Sequence, residues 1–339
     1  MRPSLRTAVA LVLVVALAAC NSLSSENEGQ LSLYLENAAG YYEAGQYERA
    51  IQQWQQALVI DGGNDQARLG QAMAYLQKGR FESPDSVGFL VEAEKRLGVL
   101  RHEDLEEGQW KAELGFALAQ ERWCELYERK LRKLDLDAEA GQQPDQQTID
   151  TSRREFESHL AAAEASFRSV LSGEEKEARD KLTCWLGLAR VAAWRDDLPK
   201  ALEYAHLYET QIVRSKRLWK DAIEKYPREA ALYQSKLSGA ELQEGELRDL
   251  IGICYFKLGQ VDKAEDELTK VITLFPQRAP AYLNRGIVRE ARGDLDLARG
   301  DYKRFLVLTE LPESDPAILE AEKRMAGVKA KLESEAGGH

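Results

Sequence analysis

"GICYFKLGQVDKAEDELTKVITLFP", residues 252–276, is echoed by "GIVREARGDLDLARGDYKRFLVL", residues 286–308. Gly252, Gly259, Val261, Ala264, Leu268 and Val271 fall on Gly286, Gly293, Leu295, Ala298, Tyr302 and Phe305, each pair 34 residues apart. The same offset of 34 joins Ala38, Tyr41, Gly45 and Tyr47 to Ala72, Tyr75, Gly79 and Phe81 near the start of the chain. A fixed period of this length marks a stacked array, in which each unit buries its apolar face against the next.

The pattern resembles the tetratricopeptide repeat, a helix-turn-helix unit of 34 residues. Ala38, Ala72, Gly252 and Gly286 sit where two helices cross and only a small side chain lets the backbones approach; Ala50, Ala264 and Ala298 do the same on the second helix. Tyr41, Trp54, Tyr75, Tyr255 and Tyr302 fill the space between units, and Gly45, Gly79, Gly259 and Gly293 supply the turn. Pro276 ends the second helix of its unit, where Gly62 and Glu310 stand in two others. The resemblance implies an all-α solenoid of about six helix-turn-helix units, with elongated central helices and a C-terminal capping helix.

The units read as 31–64, 65–103, 107–173, 178–227, 245–278 and 279–312, forming one continuous array. In the second, "ESPDSVG" at 82–88 displaces the second helix, and Ala93, Leu97 and Leu100 resume the packing pattern. The third is degenerate: helices are predicted over 107–136 and 149–171, the latter carrying Ala163, Phe167 and Val170. The linker 138–147, with glycine, proline and glutamines, reads as an exposed loop, and the long hairpin is expected to project beyond the array. The fourth keeps Trp185, Ala189, Leu198, Ala201, Ala205 and Tyr208 in register and turns on Asp196-Asp197 instead of glycine. Its second helix is expected to stop before Pro227, with a short extra helix over 228–238 ahead of the fifth unit. Residues 314–339 form a charged capping helix and tail, opened by Ser314 or Asp315 with Pro316 in the first turn.

The N-terminus has a separate logic. Arg2 and Arg6 precede an apolar run from Ala8 to Ala19, too short for the roughly 20 residues of a spanning helix, so 1–19 reads as a secretory signal. Leu17-Ala18-Ala19-Cys20 resembles the bacterial lipobox, in which the cysteine is acylated and becomes the first residue after cleavage. That resemblance implies a lipid-anchored envelope protein, with Asn21 favouring an outer membrane and its periplasmic side. Residues 20–30 then form the lipidated cysteine and a flexible tether. Removal of 1–19 leaves 44 basic against 57 acidic residues, a net charge of −13. Such a balance excludes nucleic acid as a partner and should repel anionic headgroups, so membrane attachment is assigned to the lipid on Cys20. Cys124, Cys184 and Cys254 read as buried thiols in helix packing, with any pairing among them left open.

Chemistry is scarce. No zinc-ligand spacing, Cys-x-x-Cys pair, phosphate loop or nucleophile elbow occurs, and "HEDLEEG" from His102 lacks the second histidine of a zincin motif. No catalytic residue, cofactor or metal is expected. Function is therefore expected in a surface. In tetratricopeptide proteins the first helices line a concave face that receives peptides or helices, which implies a groove at Leu35, Ala39, Tyr42, Leu69, Met73 and Leu76; packing between adjacent units is the competing role for these side chains. In later units Arg190, Glu246, Asp249, Phe256, Lys257 and Glu290 make a mixed wall. The implied function is a scaffold that recruits other envelope proteins or their peptide segments in assembly of an envelope complex. A chaperone-like or ligand-holding lipoprotein is the alternative, ahead of an unrecognised enzyme.

Overall fold

A computed structural model describes residues 25–80, 83, 85–105, 108–173 and 178–337. Cys20, Phe81 and His339 lie outside them. The described residues form thirteen α-helices and no strand: α1 (Ser25–Glu43), α2 (Tyr47–Ile60), α3 (Asp65–Arg80), α4 (Ser86–Leu100), α5 (Gln109–Glu139), α6 (Gln146–Ser172), α7 (Ala178–Trp194), α8 (Leu198–Lys225), α9 (Ala230–Lys257), α10 (Val261–Leu274), α11 (Ala279–Arg292), α12 (Leu295–Leu308) and α13 (Pro316–Gly337). The fold is an all-α solenoid of the tetratricopeptide type. Its contacts fall into two compact units, one ending at Phe116 and the other beginning at Ala117, so the division runs through the 31-residue helix α5.

The crossing residues do what their size dictates. Ala38, Ala72, Ala50, Ala264 and Ala298 are wholly buried. A Cβ on Gly252 would meet Leu268 at 2.8 Å, and one on Gly286 would meet the Tyr302 ring at 2.6 Å. The degenerate third unit uses the same device across to α7, where the Phe167 ring lies 2.3 Å from the Cβ position of Gly187. Gly45, Gly259 and Gly293 turn the chain with φ of +72°, +73° and +91°. In the fourth unit Asp196 takes that conformation, at φ +59°, while the Asp197 carboxylate caps α8 by accepting from the Lys200 N–H at 3.2 Å. Gly79 departs from the expected turn role: it lies inside α3, and its missing side chain admits the Leu90 backbone, 3.0 Å from where a Cβ would stand.

Three boundaries also differ from the sequence expectation. Residues 25–30 belong to α1 rather than to a tether, with Glu26 and Glu28 in the first turn, where carboxylates favour the positive end of the helix dipole. The first helix of the fifth unit starts at Ala230, and the short helix expected over 228–238 is part of it, because α9 is unbroken. Leu237, Ala240, Leu247 and Ile251 keep one buried face through the segment, and Gly245 is retained inside the helix by the Phe275 ring, 3.0 Å from its Cβ position. The loop of the third unit shrinks to six residues, since α5 runs to Glu139 and Asp145 caps α6 by accepting from the Thr148 N–H at 2.9 Å. Cys124, Cys184 and Cys254 are buried, and none of them is in a disulfide among the described residues. Among the described residues no helix is long and apolar enough to cross a membrane.

Candidate partner-binding surface

In the first unit the six residues of the expected groove do not form one open strip. Leu76 is fully buried and offers no surface. Tyr42 leans on the second helix, its ring 5.5 Å from Tyr47 and 5.7 Å from Trp54. Leu69 lies against Gly108, its Cδ2 3.3 Å from that residue's Cβ position, and the Met73 sulfur is 2.7 Å from the Cβ position of Gly115. Leu35 packs half-buried onto the core of Ala38, Ala50 and Trp54. Ala39 is half-buried beside it. The unit-to-unit packing role therefore absorbs much of Leu69, Met73 and Leu76, and the accessible part of the strip is on α1.

The mixed wall of the second unit is paired within the chain. Arg190 on α7 reaches Glu121 of α5 at 3.0 Å and Glu246 of α9 at 2.5 Å, with Glu125 at 3.8 Å. Burial alone would lower the guanidinium pKa, but the three carboxylates overcome this and hold it above its ordinary value. Glu290 accepts from the Tyr302 hydroxyl at 2.6 Å and from Arg324 at 3.2 Å. Lys257 Nζ pairs with Asp196 at 2.8 Å, and Phe256 packs against the core of Ala264, Leu268 and Val288. The second half of α5 is also tied to the capping helix: Arg132 pairs with Glu320, Lys323 with Glu139, and Arg129 with Asp315 at 3.8 Å. The long helix expected to project is thus held against α13, a long-range contact that no 34-residue period announces.

Asp249 is the exception to this satisfaction. Arg278 donates to its Oδ2, while Oδ1 is buried without a partner. Burial pushes its carboxyl up to about 6 against the pull of Arg278. A raised folded pKa means that the folded state binds the proton more tightly than the unfolded chain does, so this residue's contribution to stability falls as pH rises from about 4 through about 6. Asp249→Asn is expected to remove that fall, a component of up to about 3 kcal/mol by the 1.4 kcal/mol-per-unit rule. Urea unfolding at pH 4, 5, 6 and 7 is the measurement; parallel curves for variant and wild type would contradict the assignment.

No group of three or more histidine, cysteine or carboxylate side chains among the described residues is placed to hold a metal. What the helices define is an interaction array whose polar contacts are largely internal. The tetratricopeptide repeat model matches residues 35–83 and 251–316, the two stretches where the 34-residue period is clearest, and supports that family. No curated protein matches the chain. Among solved structures, a tetratricopeptide repeat protein from Parabacteroides merdae is 17% identical over 87% of this chain and 84% of its own, with a TM-score of 0.47. Pseudomonas aeruginosa pilF is 11% identical over 93% and 96%, with a TM-score of 0.33. The TPR2AB domain of yeast Sti1, in a complex with a pHSP90 partner, is 13% identical over 89% and 99%, with a TM-score of 0.25. Tetratricopeptide repeats bind peptides and other proteins, and this chain is read as a scaffold for protein–protein interaction.

Proposed function

We propose that the protein is a lipid-anchored scaffold of a bacterial envelope, tethered through Cys20, that recruits another envelope protein in assembly of a larger complex. The observation that carries the reading is the pairing of two features: an N-terminal segment ending in Leu-Ala-Ala-Cys ahead of residue 21, and a repeat array from Ser25 onward. The lipobox resemblance supports the anchor and the envelope location, with Asn21 favouring the outer membrane. The array supports recruitment rather than catalysis.

The half-buried strip on α1, from Leu35 to Ala39 and Tyr42, is the site assigned to the partner. It is apolar with one amphipathic tyrosine, which suits the apolar face of a helix or strand. Ala39→Arg places a long cation on that strip. Crosslinking in intact cells followed by capture of the anchored protein should then recover the partner at least about tenfold less, as loss of a central apolar contact costs 2 kcal/mol or more in such interfaces. Cys20→Ala should abolish palmitate labelling and release the protein from the membrane fraction. Labelling equal to wild type would overturn the anchor, and unchanged partner recovery in Ala39→Arg would overturn the site.

A further inference from the structure

The overall acidity of the chain conceals one strongly basic feature. Helices α8 and α9 are each 28 residues long, whereas α7, which pairs with α8 across a short turn, has 17, and α10, which pairs with α9, has 14. At 1.5 Å per residue the α8–α9 hairpin overhangs its neighbours by about 16 Å on one side and about 21 Å on the other. The overhang is a packed element, not a frayed end: Trp219 and Leu237 are buried between its helices, with Ile223 and Tyr233 against them.

Residues 213–236, which make up this tip, contain seven basic and three acidic residues in a protein whose net charge is −11. Lys216 pairs with Glu244. Arg214, Arg217, Lys220, Lys225 and Arg228 are all exposed and have no ion pair among the described residues, although Asp221, Glu224 and Glu229 are close in sequence. Lys225 rests over the Tyr226 ring at 5.2 Å. Large apolar side chains are exposed among these cations, Leu218 at 56%, Tyr226 at 44% and Leu232 at 53%. The hairpin core is already filled by Trp219 and Leu237, so these three have no place inside.

We propose that the tip of the α8–α9 hairpin is a second membrane contact that binds anionic phospholipid headgroups. Cations fix it at the phosphate level while Leu218, Tyr226 and Leu232 enter the interfacial layer, the depth that suits a tyrosine and a neighbouring leucine. Charge complementarity names the occupant: lysines and arginines are drawn to the surface potential of an anionic bilayer, and the apolar residues add burial that a soluble polyanion does not offer. The acidic body does not cancel this at the far end of the hairpin, because Lys220 and Lys225 stand about 9 Å and about 16 Å beyond the level of the α7 terminus, more than the roughly 8 Å Debye length at physiological ionic strength. On this proposal the tip is an exception to the expectation from composition that the surface repels anionic headgroups. The proposal stands apart from the lipid on Cys20, and its test removes that lipid.

Full-length protein carrying Cys20→Ala is mixed with vesicles of phosphatidylcholine alone or of phosphatidylcholine with phosphatidylglycerol, and sedimented at low and high salt. Binding is expected on the phosphatidylglycerol vesicles only, weakened by salt. It should fall at least about tenfold in Lys220→Glu/Lys225→Glu/Arg228→Glu. Tyr226→Trp should show a blue-shifted emission on the same vesicles, and Leu218→Ser/Tyr226→Ser should bind more weakly with an unchanged helical spectrum. No binding above the neutral vesicles overturns the proposal, as does phosphatidylglycerol binding that survives the charge reversal. Capture of an acidic protein through the same cations, with vesicles left unbound, would also overturn it and make the tip a protein contact. Each of these outcomes leaves the palmitate test of Cys20 unaffected.

Discussion

Arg190→Ala is expected to destabilise the protein by about 2–3 kcal/mol, below the full cost of removing one partner from a buried ion pair because the Arg190 and Glu246 side chains keep 18% and 33% of their exposure. Arg190 joins three helices, through Glu121 on α5 and Glu246 on α9, and the Glu121 side chain is only 5% exposed. Without the guanidinium Glu121 and Glu246 lose their shared cation while Glu125 keeps Arg122, and the buried Glu121 carboxylate is relieved only by opening the helices or taking up a proton. The compensating experiment is the triple change Arg190→Met, Glu121→Leu, Glu246→Gln, which takes away the charges together and should recover most of the loss. Urea unfolding at neutral pH separates the cases. A loss below about 1 kcal/mol in Arg190→Ala would mean that the network is screened like a surface pair.

The second large effect belongs to the repeat register. Ala264 is fully buried on α10 and meets the Leu268 and Val288 cluster. Ala264→Trp is expected to unfold the C-terminal repeats, because overpacking in a closed core costs about 1–3 kcal/mol for a few added methylenes and an indole adds far more volume. Asp266→Trp, two residues along the same helix and exposed, is the control and should stay within about 0.5 kcal/mol of wild type. Equal thermal unfolding of the two variants would contradict the register. The contrast matters because helix propensity changes little between the two sites, so any difference reports the crossing itself.

How far the fold was legible follows from the range of the interactions involved. Ala38, Ala264 and Gly286 announce their roles because a crossing imposes its size limit at the same place in every unit, and periodicity makes a local constraint visible. Gly79 is not decided by the period, because one glycine can satisfy either a positive φ or a close approach, and here it admits the Leu90 backbone. The continuity of α9 is not legible for a related reason: the repeat period separates a short helix over 228–238 from a unit opening at 245, and only the buried face from Leu237 to Ile251 and the Phe275 ring against Gly245 join them. Of the expected groove, Ala39 and Tyr42 keep some surface while Leu76 keeps none, since a heptad-like stripe of apolar residues serves neighbours and partners alike.

The amino-acid sequence by itself determined the helix-turn-helix character of the 34-residue period, while the anchor proposed at Cys20 rests on residues outside the described structure. These are set by short-range rules: side-chain size at a crossing, backbone freedom at a turn, and the order of charge, apolar run and cysteine at an N-terminus. Only the tertiary structure decided which of the many charges are paired and which are not. It set Arg190 among three carboxylates from α5 and α9, fastened α5 to α13 through Arg132 and Glu320, and left Lys220, Lys225 and Arg228 without an ion pair on an overhang. Pairing depends on which helices stand side by side and by how much their lengths differ, and neither quantity is carried by a 34-residue period.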